Sequence, residues 1–170
     1  AMKAVVPLSE AGQLPDCFGK FSPNEYRREG NNVHSFPIEI SEVPAGAKSL
    51  ALSFVDYDSI PVCGFAWIHW AACGIAPDTP LIPEDASHSG AFSFVQGSNS
   101  CLSRADETSE EVIRGYIGPC PPDKDHCYTL TVYALDCELE LSPGFYFNEL
   151  HWAMQGHILD SVEVNVASRA

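Results

Sequence analysis

Alternation of apolar and polar positions dominates the chain. Lys48 to Val55 (KSLALSFV) is rich in Leu, Phe and Val, and Tyr128 to Leu135 (YTLTVYAL) alternates Thr and Tyr with Leu and Val. Ser161 to Val166 sets Val162, Val164 and Val166 on one face and Glu163 and Asn165 on the other. Ala66 to Cys73 (AWIHWAAC) is apolar except for His69, and Ala91 to Val95 (AFSFV) is short. Period-two patterning with β-branched and aromatic residues predicts strands in all five. Turn-rich pieces separate them (VPAGAK, DYDSIP, IAPDTPLIPED, GPCPPDKD), and thirteen prolines in the chain disfavour long helices. One helix is predicted after Ser142, with Pro143 at its first position, running through FYFNELHWAMQ. Phe147, Leu150, His151, Met154 and Ile158 fall at helical spacing, enough to cover one face of a sheet. A second short acidic helix is predicted around Asp106 to Arg114. The pattern predicts a mostly β, antiparallel fold with a few helices at its end, in a single domain spanning residues 1–170.

Composition narrows the partners. Nine Lys and Arg stand against 23 Asp and Glu, a net charge of −14. Such a surface repels polyphosphate, so nucleic acid and anionic membrane surfaces are poor partners. Any anion must be held by local donors working against the global field. No window reaches the ~18 unbroken apolar residues of a membrane span, and no secretory leader is visible behind Lys3. Ala1 ahead of Met2 reads as a cloning remnant. The seven cysteines show no CxxC pair and no zinc-type spacing, so they read as reduced thiols in apolar segments. These features predict a cytoplasmic protein without integral membrane association, metal or cofactor.

Three segments set polar residues beside apolar strands. Asp56 and Asp58 follow a strand at a turn, where capping of the backbone is the ordinary role of aspartate. His69 lies inside an apolar strand; Trp67 and His69 share one face by alternation, and Ile68 and Trp70 the other. In GYIGPCPPDKDHCY, Gly118 permits close backbone approach, Pro121 and Pro122 stiffen a loop, and His126 and Tyr128 share a face. The remaining histidines suggest less: His34 and His88 sit in polar loops and read as solvated.

The ordered set Asp-x-Asp (Asp56, Asp58), His69-Trp70, Gly118-Pro-Cys-Pro-Pro122 and His126-x-Tyr128 resembles the phosphatidylethanolamine-binding protein family, in its bacterial, Raf kinase inhibitor-like branch. The resemblance starts at Gly30–Asn32 and ends near Gly156–Leu159. It implies a β-sandwich with short peripheral helices at the C-terminal end. It also implies a non-catalytic cavity for an anionic group: phosphate, a phospholipid head group or a phosphorylated residue. By motif it assigns that cavity Asp56, Trp67, His69, Gly118, Cys120, Pro122, His126 and Tyr128, and it places His157 near the rim. Bacterial relatives further imply a homodimer. The alternatives are a phospho-dependent protein-interaction regulator and, less favoured, an Asp/His or metal-dependent hydrolase.

Three departures from the family pattern bear on the ligand. Tyr57 replaces a proline of the Asp-Pro-Asp loop, and one extra residue precedes Pro61. Cys127 replaces the arginine of His-Arg-Tyr, which takes a cation out of that region. The connection Asp123-Lys124-Asp125 is short and acidic.

Overall fold

The computed structural model describes residues 1–170. Its strands in chain order are β1 (Lys3–Val5), β2 (Arg27–Arg28), β3 (Asn31–Asn32), β4 (Ile38–Ser41), β5 (Ser49–Asp56), β6 (Trp67–Ile75), β7 (Leu81–Ile82), β8 (Val95–Gln96), β9 (His126–Leu135) and β10 (Ile158–Ser168). The helices are short: α1 (Ile60–Cys63), α2 (Ala86–Ser89), α3 (Glu110–Ile113) and α4 (Phe147–Met154), with 3-10 turns at Asp16–Phe18, Asn24–Tyr26 and Ser100–Arg104. The longest helix, α4, lies toward the C-terminal end.

Two antiparallel sheets face each other, one in the order β10-β9-β5-β6-β8 and one in the order β1-β4-β7. Between them lies the main core. Leu50, Leu52, Phe54, Trp70, Leu130 and Val132 come from the larger sheet and Ile38, Ile40 and Ile82 from the smaller. The opposite face of the larger sheet is covered in part by α4. Ala51, Ala71, Cys73 and Leu135 pack there against Phe145, Leu150 and Met154. This double coverage explains why β5 is buried along its whole length and reads as apolar on both faces. The edge strand β10 keeps the alternation of its sequence, with only Val166 and Ser168 buried.

Several local expectations need correction. The helix predicted from Ser142 begins only at Phe147. Ser142 to Phe145 form a turn instead, in which the Phe145 N–H donates to the Ser142 carbonyl (3.0 Å) and Gly144 takes a φ of 81°. Proline followed by left-handed glycine is the signature of such a turn. Glu149 then accepts from the Tyr146 N–H at 2.9 Å and closes the first turn of α4. The Ala91–Val95 segment pairs only through Val95 and Gln96, while Phe92 and Phe94 fold back onto the core. His34 is not solvated: it is buried, stacked on Tyr26 at 3.7 Å between ring centroids, and bonded to Glu84 at 2.7 Å. The thiols are all free, but only Cys73 and Cys101 are buried. Cys63 at the end of α1, Cys120 in a loop and Cys127 on the outer face of β9 are exposed, so most cysteines here are not core residues.

Candidate functional site

The register of the larger sheet gathers the site. Asp56, the last residue of β5, pairs with Trp67 at the start of β6 on one side and with Tyr128 near the start of β9 on the other. Three separate segments therefore meet at one sheet end. His69 arrives by a different device. Phe54 pairs with Trp70, but the next residue, Val55, pairs with Ile68, so β6 carries one extra residue there. A bulge of this kind sends consecutive side chains to the same side of the sheet. Trp70 joins the sandwich core and His69 packs edge-on to Phe54 and Tyr128, while Ile68 packs on the α4 face. The simple alternation that groups Ile68 with Trp70 is thus broken at His69.

A cavity of about 210 Å³ opens at this end. All eight positions assigned by motif line it: Asp56, Trp67, His69, Gly118, Cys120, Pro122, His126 and Tyr128. Seven further residues complete the lining, and motif reading named none of them. Arg104 and Asn31 are the polar members that matter most, with Ser59, Val62, Cys63, Cys101 and Ile117 beside them. Arg104 sits at the end of a 3-10 turn, its guanidinium 5.1 Å from the Trp67 ring centroid. Lys3, Arg28, Arg114 and Arg169 are spent in ion pairs, and Arg104 is in none of them. The readable signal was Asn99, whose side chain accepts from the Cys101 N–H at 2.9 Å and starts that turn.

His126 is buried between two carboxylates. Its Nδ1 lies 2.7 Å from Asp56 Oδ2 and its Nε2 lies 2.7 Å from Asp123 Oδ1. Ionised carboxylates only accept, so both ring nitrogens donate and the ring is an imidazolium. Burial pulls its pKa down, but the hydrogen bonds and charges of Asp56 and Asp123 outweigh burial and leave it above the ordinary histidine value. The same bond holds the Asp123 carboxyl below its usual range.

His69 is the opposite case. Nδ1 donates to the Ile117 carbonyl at 2.8 Å, and the Ile117 N–H donates back to the His69 carbonyl at 2.9 Å. Burial dominates and drives its pKa down to about 4, so the ring is neutral at pH 7. With the proton on Nδ1, Nε2 offers a lone pair rather than a donor. The Tyr128 hydroxyl is pushed far above its usual range, first by burial and then by the Asp56 charge. Finally, Asp56 Oδ1 is buried beside the Tyr128 hydroxyl, with no donor in full hydrogen-bond geometry. A buried carboxylate oxygen without a donor is costly, and such an atom points to a missing partner.

The departures from the family pattern resolve structurally. Cys127 lies outside the cavity lining, on the strand face opposite His126 and Tyr128. Replacing an arginine there takes no cation from the cavity, and Arg104 provides one from another segment. The Asp56 loop leads into α1, and Ser59 clips it: its hydroxyl lies 2.8 Å from the Asp56 carbonyl and 2.7 Å from that of Phe65, and accepts from the Trp67 N–H at 2.9 Å. Asp58 is a backbone cap, accepting from the Cys127 N–H at 2.9 Å. His157 is nowhere near the rim. It bonds Asp136 at 2.8 Å, beyond the far end of β9 from His126.

Gly118 is required by close approach. A Cβ there would meet Asn32 Oδ1 at 2.6 Å and the Phe18 carbonyl oxygen at 2.7 Å. The Phe18 carbonyl is fixed by the buried Tyr116 hydroxyl at 2.6 Å and cannot retreat. Gly118→Ala is therefore expected to lose about 1–3 kcal/mol of stability. Urea unfolding measures this, and an unchanged midpoint contradicts the packing argument.

A two-sheet antiparallel sandwich with a small cavity at one sheet end defines the class, a β-sandwich fold. The family model described as phosphatidylethanolamine-binding protein matches residues 9–168, so the chain belongs to that family. It is 50% identical over 157 residues to YxkA of Bacillus subtilis (strain 168), covering 92% of this chain and 94% of that protein. Among solved structures, a phosphatidylethanolamine-binding protein homologue, CT736 of Chlamydia trachomatis, is 32% identical with a TM-score of 0.72, covering 100% of this chain and 98% of that one. YbcL of E. coli shares the fold at 21% identity and a TM-score of 0.78, covering 99% and 98%.

Proposed function

We propose that the cavity binds a small phosphorylated group that carries its own proton donor, with phosphoethanolamine as the model ligand, and that the protein acts by binding rather than by catalysis. The observation that carries this reading is the unpartnered Asp56 Oδ1 in a cavity that Arg104 also lines. Asp56 Oδ1 and the His69 Nε2 lone pair both call for a donor, while Arg104 calls for an anion. A zwitterion satisfies both ends; a fully deprotonated anion satisfies one. The size agrees, since about 210 Å³ is below the ~300–1,000 Å³ typical of drug-sized ligands. Trp67 and Tyr128 wall the cavity and strengthen each polar contact by keeping water out.

A catalytic reading has less support. Asp56, the obvious general base, is engaged by His126, and both nitrogens of His126 are occupied. We also place the protein in the cytoplasm, where seven unpaired thiols persist in reduced form, and expect a homodimer by analogy with bacterial relatives.

Calorimetry with phosphoethanolamine, inorganic phosphate and phosphotyrosine tests the reading. Phosphoethanolamine should bind most tightly, and Arg104→Ala should weaken it by about 10–100-fold, the worth of one hydrogen bond to a charged group. Equal heats for all three ligands in wild type and Arg104→Ala would refute it. Preference for phosphotyrosine would favour the phospho-dependent regulator instead.

A further inference from the structure

A second cluster of chemically capable side chains lies outside the cavity. Asp136 and Cys137 follow the end of β9, and His157 immediately precedes β10. They are twenty residues apart in the chain, with α4 between them, so no local spacing announces them. The antiparallel pairing of β9 with β10 brings them together. One ligand atom from each, a carboxylate oxygen, a sulfur and an imidazole nitrogen, lies within 4.8 Å of the other two.

From this geometry we infer a binding site for a divalent transition-metal ion of the zinc class, held by Asp136, Cys137 and His157. Zinc takes sulfur at ~2.3 Å and nitrogen or carboxylate oxygen at ~2.0–2.2 Å, so tetrahedral ligands stand roughly 3.3–3.6 Å apart. The present separations are all within 4.8 Å. The His157 Nδ1 to Asp136 Oδ1 distance of 2.8 Å must open slightly as the ion replaces the shared proton. The remaining pairs need close by no more than about 1.5 Å, within the reach of side-chain rotation.

The backbone under the three residues is already fixed. The Asp136 N–H donates to the His157 carbonyl at 2.9 Å. The Cys137 carbonyl accepts from the Ser49 hydroxyl at 2.5 Å, and the His157 N–H donates to the Met154 carbonyl at 3.0 Å. Half-exposure of His157 and Asp136 gives the ion a path in, and three protein ligands leave a fourth position for water. Metal binding here would clamp the ends of β9 and β10 together at the start of β5. The site lies a strand length from the cavity, roughly 30 Å for ten residues, so it stands or falls independently of the proposed ligand.

The test uses the tag-free full chain with zinc alone, in competition with a chromophoric chelator, and with cobalt as a spectroscopic stand-in. One ion per chain is expected, with a sulfur-to-cobalt charge-transfer band. Cys137→Ser and His157→Gln should each lower affinity at least about tenfold, and Cys137→Ser, which removes the sulfur ligand, should abolish the band. Cys127→Ser, which removes an exposed thiol outside both the cavity and the cluster, should leave both unchanged. Retention of the band in Cys137→Ser, or no stoichiometric zinc in wild type, overturns the inference. An unchanged urea midpoint for metal-free Cys137→Ser, measured alongside, shows that the variant is folded.

Discussion

Asp56→Ala is expected to unfold at markedly lower urea and to lose phosphoethanolamine binding altogether. Asp56 and His126 side chains are 4% and 1% exposed, and their pair is 2.7 Å long. Removing one member strands the other as a buried charge, which typically costs about 3–5 kcal/mol. Asp123 still holds the second nitrogen of His126, so the lower end of that range applies here. Asp56→Asn keeps the shape and one acceptor, and should cost less while still losing affinity, because the unpartnered Oδ1 is the atom proposed to meet the ligand's donor. Urea midpoints for both variants, with unchanged m-values, measure the effect. A loss below about 1 kcal/mol in Asp56→Ala would show that the buried pair contributes little.

The second large effect is a stability profile that falls on both sides of pH 6.5, with each side assigned to a different histidine. His69 titrates near 6.5 when unfolded and at about 4 when folded. Between those values the unfolded chain holds a proton that the folded chain lacks, so stability drops as pH falls through this window. The full loss is about 3 kcal/mol at pH 4. His126 has the opposite sign. Its folded pKa is raised, so its contribution is complete below about pH 6.5 and declines as pH rises through the folded value. Asp123, whose pKa is lowered, adds a further acid loss only below the ordinary carboxylate range. His69→Gln should flatten the limb between pH 6.5 and 4 and leave the alkaline limb intact. Chemical denaturation at half-unit pH steps measures both limbs. An acid limb as steep in His69→Gln as in wild type would mean that burial of this ring is not its cause.

The four long strands were legible because each has a face or faces that must be buried. β5 is buried throughout as the doubly covered centre, and β10 alternates as the edge. What escaped reading is what depends on contacts between segments. The bulge at His69 comes from the register between β5 and β6, and no property of AWIHWAAC marks it. His34 looked like a loop residue because its burial is made by Tyr26 and Phe18, which are distant from any periodic pattern. The eight motif positions were found by resemblance, whereas Arg104 belongs to no motif and arrives from a 3-10 turn far from them in sequence. Cys127 misled for a simpler reason: sequence proximity to His126 suggested the cavity, but strand alternation directs the side chain away from it.

The central claim is that one small ligand is felt by both cavity histidines, His69 and His126, at once. Titration of phosphoethanolamine into the protein, followed through the histidine ring resonances, tests this most directly. The His69 and His126 signals should move together along a single saturation curve, while those of His151 and His157 stay fixed. Saturable binding that leaves both cavity rings unmoved, or that moves only His151 or His157, would contradict the account.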